Sequence, residues 1–212
     1  MTATRGILRR YTDLASLLDL LHRREITLLL PSTWDDRNDR LLMETYRKAK
    51  GLETLLALCL SERAETYHHW KVFTDRNNGV CILFHRTKLR DAMKKSKVNL
   101  RRMSYLTFSE LDAETIPTAR LPYLKRSAFK DEGEVRAVYE NAQKEAELKK
   151  VPIDLSVIEG ISLNPWMAKP VADSIIAIIE QMTPNLPFEI TRSNLIESRV
   201  WRKFAEKYPE QS

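Results

Sequence analysis

Lys125-Arg126-Ser127-Ala128-Phe129-Lys130-Asp131-Glu132-Gly133-Glu134-Val135-Arg136 leads straight into the apolar Ala137, Val138 and Tyr139. In a strand, alternate side chains share a face. Glu132, Glu134 and Arg136 are therefore expected along one side, with Val135, Ala137 and Tyr139 on the other. A charged row of this kind is a solvated edge, a cross-strand ladder of ion pairs or a site. Spacing alone leaves the three readings open.

Outward from this strand, the chain interleaves apolar runs with helical patterns. Thr12 and Asp13 are good caps for a helix whose stripe is Leu14, Leu17, Leu18 and Leu21. Ile26 to Leu30 reads as a buried strand ended by Pro31, and Asp36 to Lys50 as a polar helix closed by Gly51. Leu55 to Leu60 is a second buried strand. Asp75-Arg76-Asn77-Asn78-Gly79 is turn chemistry that introduces a third, Val80 to Phe84. Thr87 can cap a helix to about Ser96, and Val98 to Phe108 has strand composition. Pro117 and Pro122 leave room only for a short helix between Ile116 and Phe129. Asn141 to Lys150 reads as a mixed-charge helix or helical arm, a possible handle for a protein partner, and Val151 to Leu163 as one or two short strands. Pro170 starts a helix to Met182 with Ile175, Ile176, Ile178 and Ile179 expected inside. Phe188 to Thr191 closes the sheet, and Asn194 with Glu197 opens a C-terminal helix to about residue 208. The strands lack a regular βαβ rhythm, and five scattered glycines match no phosphate-binding loop. The expectation is an α+β fold, one domain over residues 1–212, with a mixed or mainly antiparallel sheet flanked by helices.

Composition narrows the classes further. The chain has 212 residues, 43% hydrophobic and 30% charged, enough for one proper core. No apolar run approaches the roughly 20 residues of a membrane helix, and Met1 to Arg10 is too basic for a secretory leader. A cytoplasmic protein with no membrane contact is expected. Cys59 and Cys81 sit in apolar runs and read as buried free thiols; with four scattered histidines they offer no zinc spacing, so no metal is expected. The net charge is +6, and from Arg86 to Lys130 twelve Lys/Arg stand against four Asp/Glu. Arg86, Arg90, Lys94, Lys97, Arg101 and Arg102 are the candidates for contact with nucleic acid or another anionic ligand, against the plainer reading of a solvated helix face.

Several motifs follow one another in a familiar order: Tyr11; Pro31-Ser32-Thr33-Trp34-Asp35-Asp36; Cys59-Leu60-Ser61; Trp70 with Phe73; and Asn77-Asn78-Gly79-Val80-Cys81-Ile82-Leu83-Phe84. Lys125, Phe129, Glu132, Glu134 and Arg136 come next, and Val157-Ile158-Glu159-Gly160 after them. In this order the chain resembles the bacterial domain-of-unknown-function family 2971 over about residues 8 to 195. Phe73 stands where that family usually has Tyr, Asp35 where it has Asn and Arg37 where it has Pro. The resemblance implies a role in mobile-element or phage-defence settings.

The layout is also similar, more distantly, to ADP-ribosyltransferase-type toxins. That similarity implies NAD as the co-substrate, Glu134 as the catalytic carboxylate and Glu132 as the substrate-activating one. Arg10, Tyr11 and Arg136 would hold NAD, and Trp70 would stack on nicotinamide or adenine. Trp34, Asp36 and Lys125 complete the pocket candidates. Plainer roles stand beside these: Trp70 as a core or rim aromatic, Asp35 and Asp36 as turn and cap residues, Arg10-Tyr11 as a strand start.

Overall fold

The computed structural model describes residues 6–75, 77–113 and 115–208. The chain opens with β1 (Ile7–Asp13) and α1 (Leu14–Arg23); the Asp13 carboxylate accepts from the Ser16 N–H and starts the helix. There follow β2 (Glu25–Leu29), α2 (Arg37–Ala49), β3 (Thr54–Ser61), α3 (Tyr67–Phe73), β4 (Gly79–His85) and α4 (Arg86–Lys95). The second half holds β5 (Asn99–Arg102), β6 (Ser104–Leu106), α5 (Phe108–Ala113), β7 (Leu124–Arg126), β8 (Glu134–Asn141) and β9 (Leu148–Pro152). It ends in β10 (Ile158–Leu163), α6 (Lys169–Met182), β11 (Glu189–Arg192) and α7 (Arg199–Ala205).

Among the described residues, nine strands form one sheet in the order β11-β10-β4-β1-β3-β2-β9, with β8 on β3 and β5 on β8. Pairs are antiparallel except β10 with β11, and β6 and β7 make a separate parallel pair. The fold is therefore α+β with a mixed, mostly antiparallel sheet. β3 is its hub. One edge pairs with β8 from Thr54 to Ser61, while the other meets β1 at Arg9↔Ser61 and β2 at Leu29↔Ala57. Two strands sharing one edge must splay, and that splay opens the site.

The main core lies on one face of the sheet, where Leu56, Leu58, Leu60, Val135 and Ala137 pack with Leu8, Ile82, Phe84 and the buried side of α1. On the other face α2 supplies Met43 and Tyr46, which pack on Leu55, Ala57 and Val138. β8 is thus covered on both sides.

Several sequence expectations need correction. Glu132 is not on the strand: it ends a 3₁₀ turn, Ser127–Glu132, and Gly133 at φ 52° reverses the chain before β8 starts. Only Gly takes that left-handed conformation cheaply, and an added Cβ would lie 2.5 Å from Arg63 Cγ. α4 is capped by His85 rather than Thr87, and the stretch from Val98 to Phe108 divides into β5 and β6. Asn141 to Lys150 contains no helix, because pairing with β2 draws its end into β9. In α6, Ile178 is 53% exposed: four isoleucines within five positions cannot share one helical stripe. The last helix starts later than Asn194, capped by Ser198.

Candidate active site

Antiparallel pairing places Ser61 opposite Glu134 and Cys59 opposite Arg136 on the same sheet face. Where β1 leaves β3, this face floors a cavity of about 440 Å³. β1 contributes Arg9 and Tyr11, and β3 contributes Cys59 and Ser61. Thr33 to Asp36 form one rim, Val72 and Phe73 of α3 another, and Asp39, Lys125, Phe129, Glu132 and Glu134 complete the wall.

Arg136 lies beneath this wall with no exposed surface. Its Nε and Nη2 donate to Glu134 at 2.7 and 3.1 Å, its Nη1 and Nη2 to Asp39 at 2.8 and 2.6 Å, and Nη1 also to the Pro122 carbonyl at 3.0 Å. The Trp34 ring covers the guanidinium at 4.6 Å. A guanidinium forked between two carboxylates fixes both in the plane it dictates. Lys125 Nζ then bridges Glu132 at 2.6 Å and Glu134 at 3.2 Å.

The two glutamates are driven apart electrostatically. Burial opposes ionisation of Glu134, but Arg136 and then Lys125 outweigh it and hold its carboxyl below the ordinary range. Burial pushes Glu132 up, and the Lys125 ammonium offsets this only in part. One group is thus held as a carboxylate while its neighbour holds a proton more readily, a division of labour typical of acid–base sites. The Cys59 thiol opens into the cavity, yet the surrounding protein and the Glu134 charge raise its pKa well above the usual value, so it is neutral.

A polar latch sets the position of Glu132. Ser61 Oγ donates to the Glu132 carbonyl at 2.6 Å, and His69 Nε2 lies 3.3 Å from the same oxygen. A carbonyl only accepts, so Nε2 carries the proton and Nδ1 accepts from the Thr66 hydroxyl at 2.6 Å. Burial lowers the His69 pKa, consistent with this neutral tautomer. Tyr11 stacks on the imidazole at 5.4 Å, tying β1 to the latch.

The structure brings Tyr11, Trp34, Asp36, Lys125, Glu132 and Glu134 to the cavity. Arg10 does not line it. Successive strand residues face opposite ways, so Arg9 is the cation beside Tyr11. Trp70 is 1% exposed, donates Nε1–H to Glu65 at 2.6 Å and meets Tyr11 edge-on, so it supports the wall from behind. Arg136 positions carboxylates instead of facing a ligand. Of the two cysteines read as buried, Cys81 is buried and Cys59 is not. Asp36 also caps α2, accepting from the Asn38 N–H at 2.9 Å.

Sequence reading missed Arg9, Asp39, Ser61 and His69. Asp39 follows Asp36 by three on α2, and Ser61 follows Cys59 by two on β3, so both spacings carried a same-face signal. Nothing local marks His69.

The basic segment is less concentrated than its count. Arg86 and Arg102 both donate to Glu62, at 2.6 and 2.8 Å, and Arg101 lies over the Tyr123 ring. Arg90, Lys94 and Lys97 are exposed. Among the described residues, no helix is long and apolar enough to cross a membrane, and no group of three His, Cys, Asp or Glu is placed to hold a metal ion.

No protein-family model matches the chain, and no curated protein matches it in sequence. The likeness to family 2971 is one of motif order. Among solved structures, the DarT of Thermus sp. 2.9 in complex with carba-NAD+ is similar over 91% of this chain and 97% of that one, at 10% identity and a TM-score of 0.43. The same protein with NAD+ covers 92% and 99%, at 10% identity and 0.44, and with ADP-ribosylated ssDNA 89% and 94%, at 9% and 0.43. Similarity at this level assigns no activity to the present chain.

Proposed function

We propose that this protein is an ADP-ribosyltransferase-like enzyme that takes NAD as substrate and acts as a toxin-like effector. The observation that carries the reading is the Glu132–Lys125–Glu134 bridge on the cavity wall, with the two carboxyls shifted in opposite directions. Glu134, held ionised, faces the ribose C1′ as positive charge develops there and the bond to the nicotinamide nitrogen breaks. The bonding electron pair leaves with the nicotinamide and neutralises its pyridinium. The acceptor nucleophile bonds to C1′, and its proton passes to Glu132. Stabilising charge at a site built in advance is the main catalytic lever here.

The aromatic rims Trp34, Phe73 and Phe129 suit a flat pyridinium cation, which also gains from the carboxylates. Arg9 of β1, whose Nη1 donates to the Arg63 carbonyl at 2.8 Å, lines the cavity where this reading puts the anionic half of the dinucleotide. The exposed Arg90, Lys94 and Lys97 of the basic segment are in this reading a surface for an anionic acceptor such as nucleic acid.

The test is thermal unfolding with and without millimolar NAD, together with nicotinamide release, for wild type and Glu134→Gln. NAD at about 100 times its dissociation constant adds about 2.7 kcal/mol. Stabilisation of both proteins, with release slowed about a hundredfold or more in the variant, is expected. No stabilisation of wild type by NAD rejects the reading.

A further inference from the structure

A second concavity, of about 470 Å³, lies on the far side of α2 from the active-site cavity. Its floor is Leu30, Pro31, Met43 and Leu55; its rim carries Leu41 with Arg37, Arg40 and Arg47. The bare surface continues past this groove. Leu29 pairs with Leu148 across β2 and β9 and with Ala57 across β2 and β3, so all three share the sheet face on which α2 packs. α2 stops short of this ribbon. Leu41 is 65% exposed, Leu29 53%, Leu148 46% and Leu30 38%, while Ile26, Leu28 and Val151 on the opposite face are fully buried.

We infer that this groove docks an acidic, apolar-anchored segment of a partner protein. Four exposed leucines in one patch mark an interaction surface rather than scattered surface residues. Three arginines against Glu44, which Arg47 already holds at 2.9 and 3.0 Å, make its rim basic and complementary to carboxylates. The groove is lined without an aromatic ring, so it offers no platform for stacked bases, and a protein segment fits better than nucleic acid. β9 ends the sheet order, but Lys149, Lys150 and Pro152 blunt it against strand addition, which favours side-chain anchoring in the groove. An occupant would press on the helix that carries Asp36 and Asp39. Met43 in the groove floor accepts a contact from Arg136 at 3.7 Å, which links the groove to the carboxylate network.

The probe is a fluorescein-labelled amphipathic peptide of leucine and glutamate at helical spacing, followed by anisotropy against the full chain. Wild type should bind it. Leu41→Glu and Arg37→Glu, both exposed and checked for unchanged melting, should each weaken binding about tenfold or more. Arg90→Glu on α4 should leave it unchanged, and a peptide with serine for leucine should not bind. The inference is overturned if wild type fails to bind or if Leu41→Glu binds as wild type does. It is equally overturned if Arg37 matters only to a labelled oligonucleotide. NAD is absent throughout, so the result is independent of the reaction assigned to the cavity.

Discussion

The two faces of the β3–β8 pair are built from alternate residues of the same strands and do opposite things. Toward the main core, Leu56, Leu58, Leu60, Val135 and Ala137 interlock with apolar side chains and need no partner beyond shape. Toward the cavity, Ser61, Glu134 and Arg136 are also buried but tied by charge and hydrogen bonds, with Cys59 open beside them. Close packing on the first face holds the backbone still, and that stillness lets the second face keep three carboxylates and two cations in one place. A buried ion network adds little net stability of its own, yet is costly to leave half made. The cavity face is therefore where a single substitution should separate stability from function.

The largest effect should come from Arg136→Met. Asp39 and Glu134 would lose their shared counter-ion, and urea unfolding should show a loss of about 3–5 kcal/mol. A loss below about 1 kcal/mol would mean the network is not what holds this face together. Leu56→Ala on the opposite face should cost a similar amount, about 2–5 kcal/mol, through a cavity. Unlike Arg136→Met, it should leave the response to NAD intact; if it abolishes that response, the two faces are not separable in the way proposed.

Gly133→Ala comes next. It forces an L-residue into the left-handed region against Arg63, and should cost about 1–2 kcal/mol in the same unfolding measurement. The displaced Glu132 should also weaken NAD-induced stabilisation.

A smaller effect concerns pH. His69 has its folded pKa lowered from 6.5, so below that value the unfolded chain takes up a proton that the folded chain refuses. Stability should accordingly fall as pH drops from about 6.5 toward the folded value. His69→Gln should flatten this slope when unfolding is compared at about pH 7 and about pH 5.5; an unchanged slope would assign it to other groups.

The smallest effect is expected of Cys59→Ser, within about 0.5 kcal/mol of wild type. The raised thiol pKa also predicts slow alkylation by iodoacetamide at neutral pH, read by mass spectrometry. Rapid alkylation would show a thiolate in the cavity and a different balance of charge there.

Much of the fold was legible because its signals are local. Asp13 as a cap and the apolar run of β3 are read from neighbours a few positions away, and the structure bears both out. Of the stripe Leu14, Leu17, Leu18 and Leu21, Leu17 and Leu21 are buried while Leu14 and Leu18 are half-buried, and Leu20 joins the buried side. The failures have two causes, one long-range and one local. Asn141 to Lys150 has helical composition but is captured by β2, and Glu132 leaves the strand because one left-handed glycine turns the chain. Tertiary pairing overrides propensity wherever propensity is weak.

For the site, the sequence alone determined which residue types alternate along β3 and β8, because a period of two is a property of the backbone. The same period on β1 puts Arg9, not Arg10, on the face of Tyr11, but the sequence could not say which face of β1 meets the cavity. Nor could it show that Arg136 is buried under Trp34, or that it reaches Asp39 across 97 positions of chain. Those facts depend on how β1 and β2 divide one edge of β3 and where α2 closes over it. Only long-range packing sets that geometry, and it turns a charged row into a cavity wall.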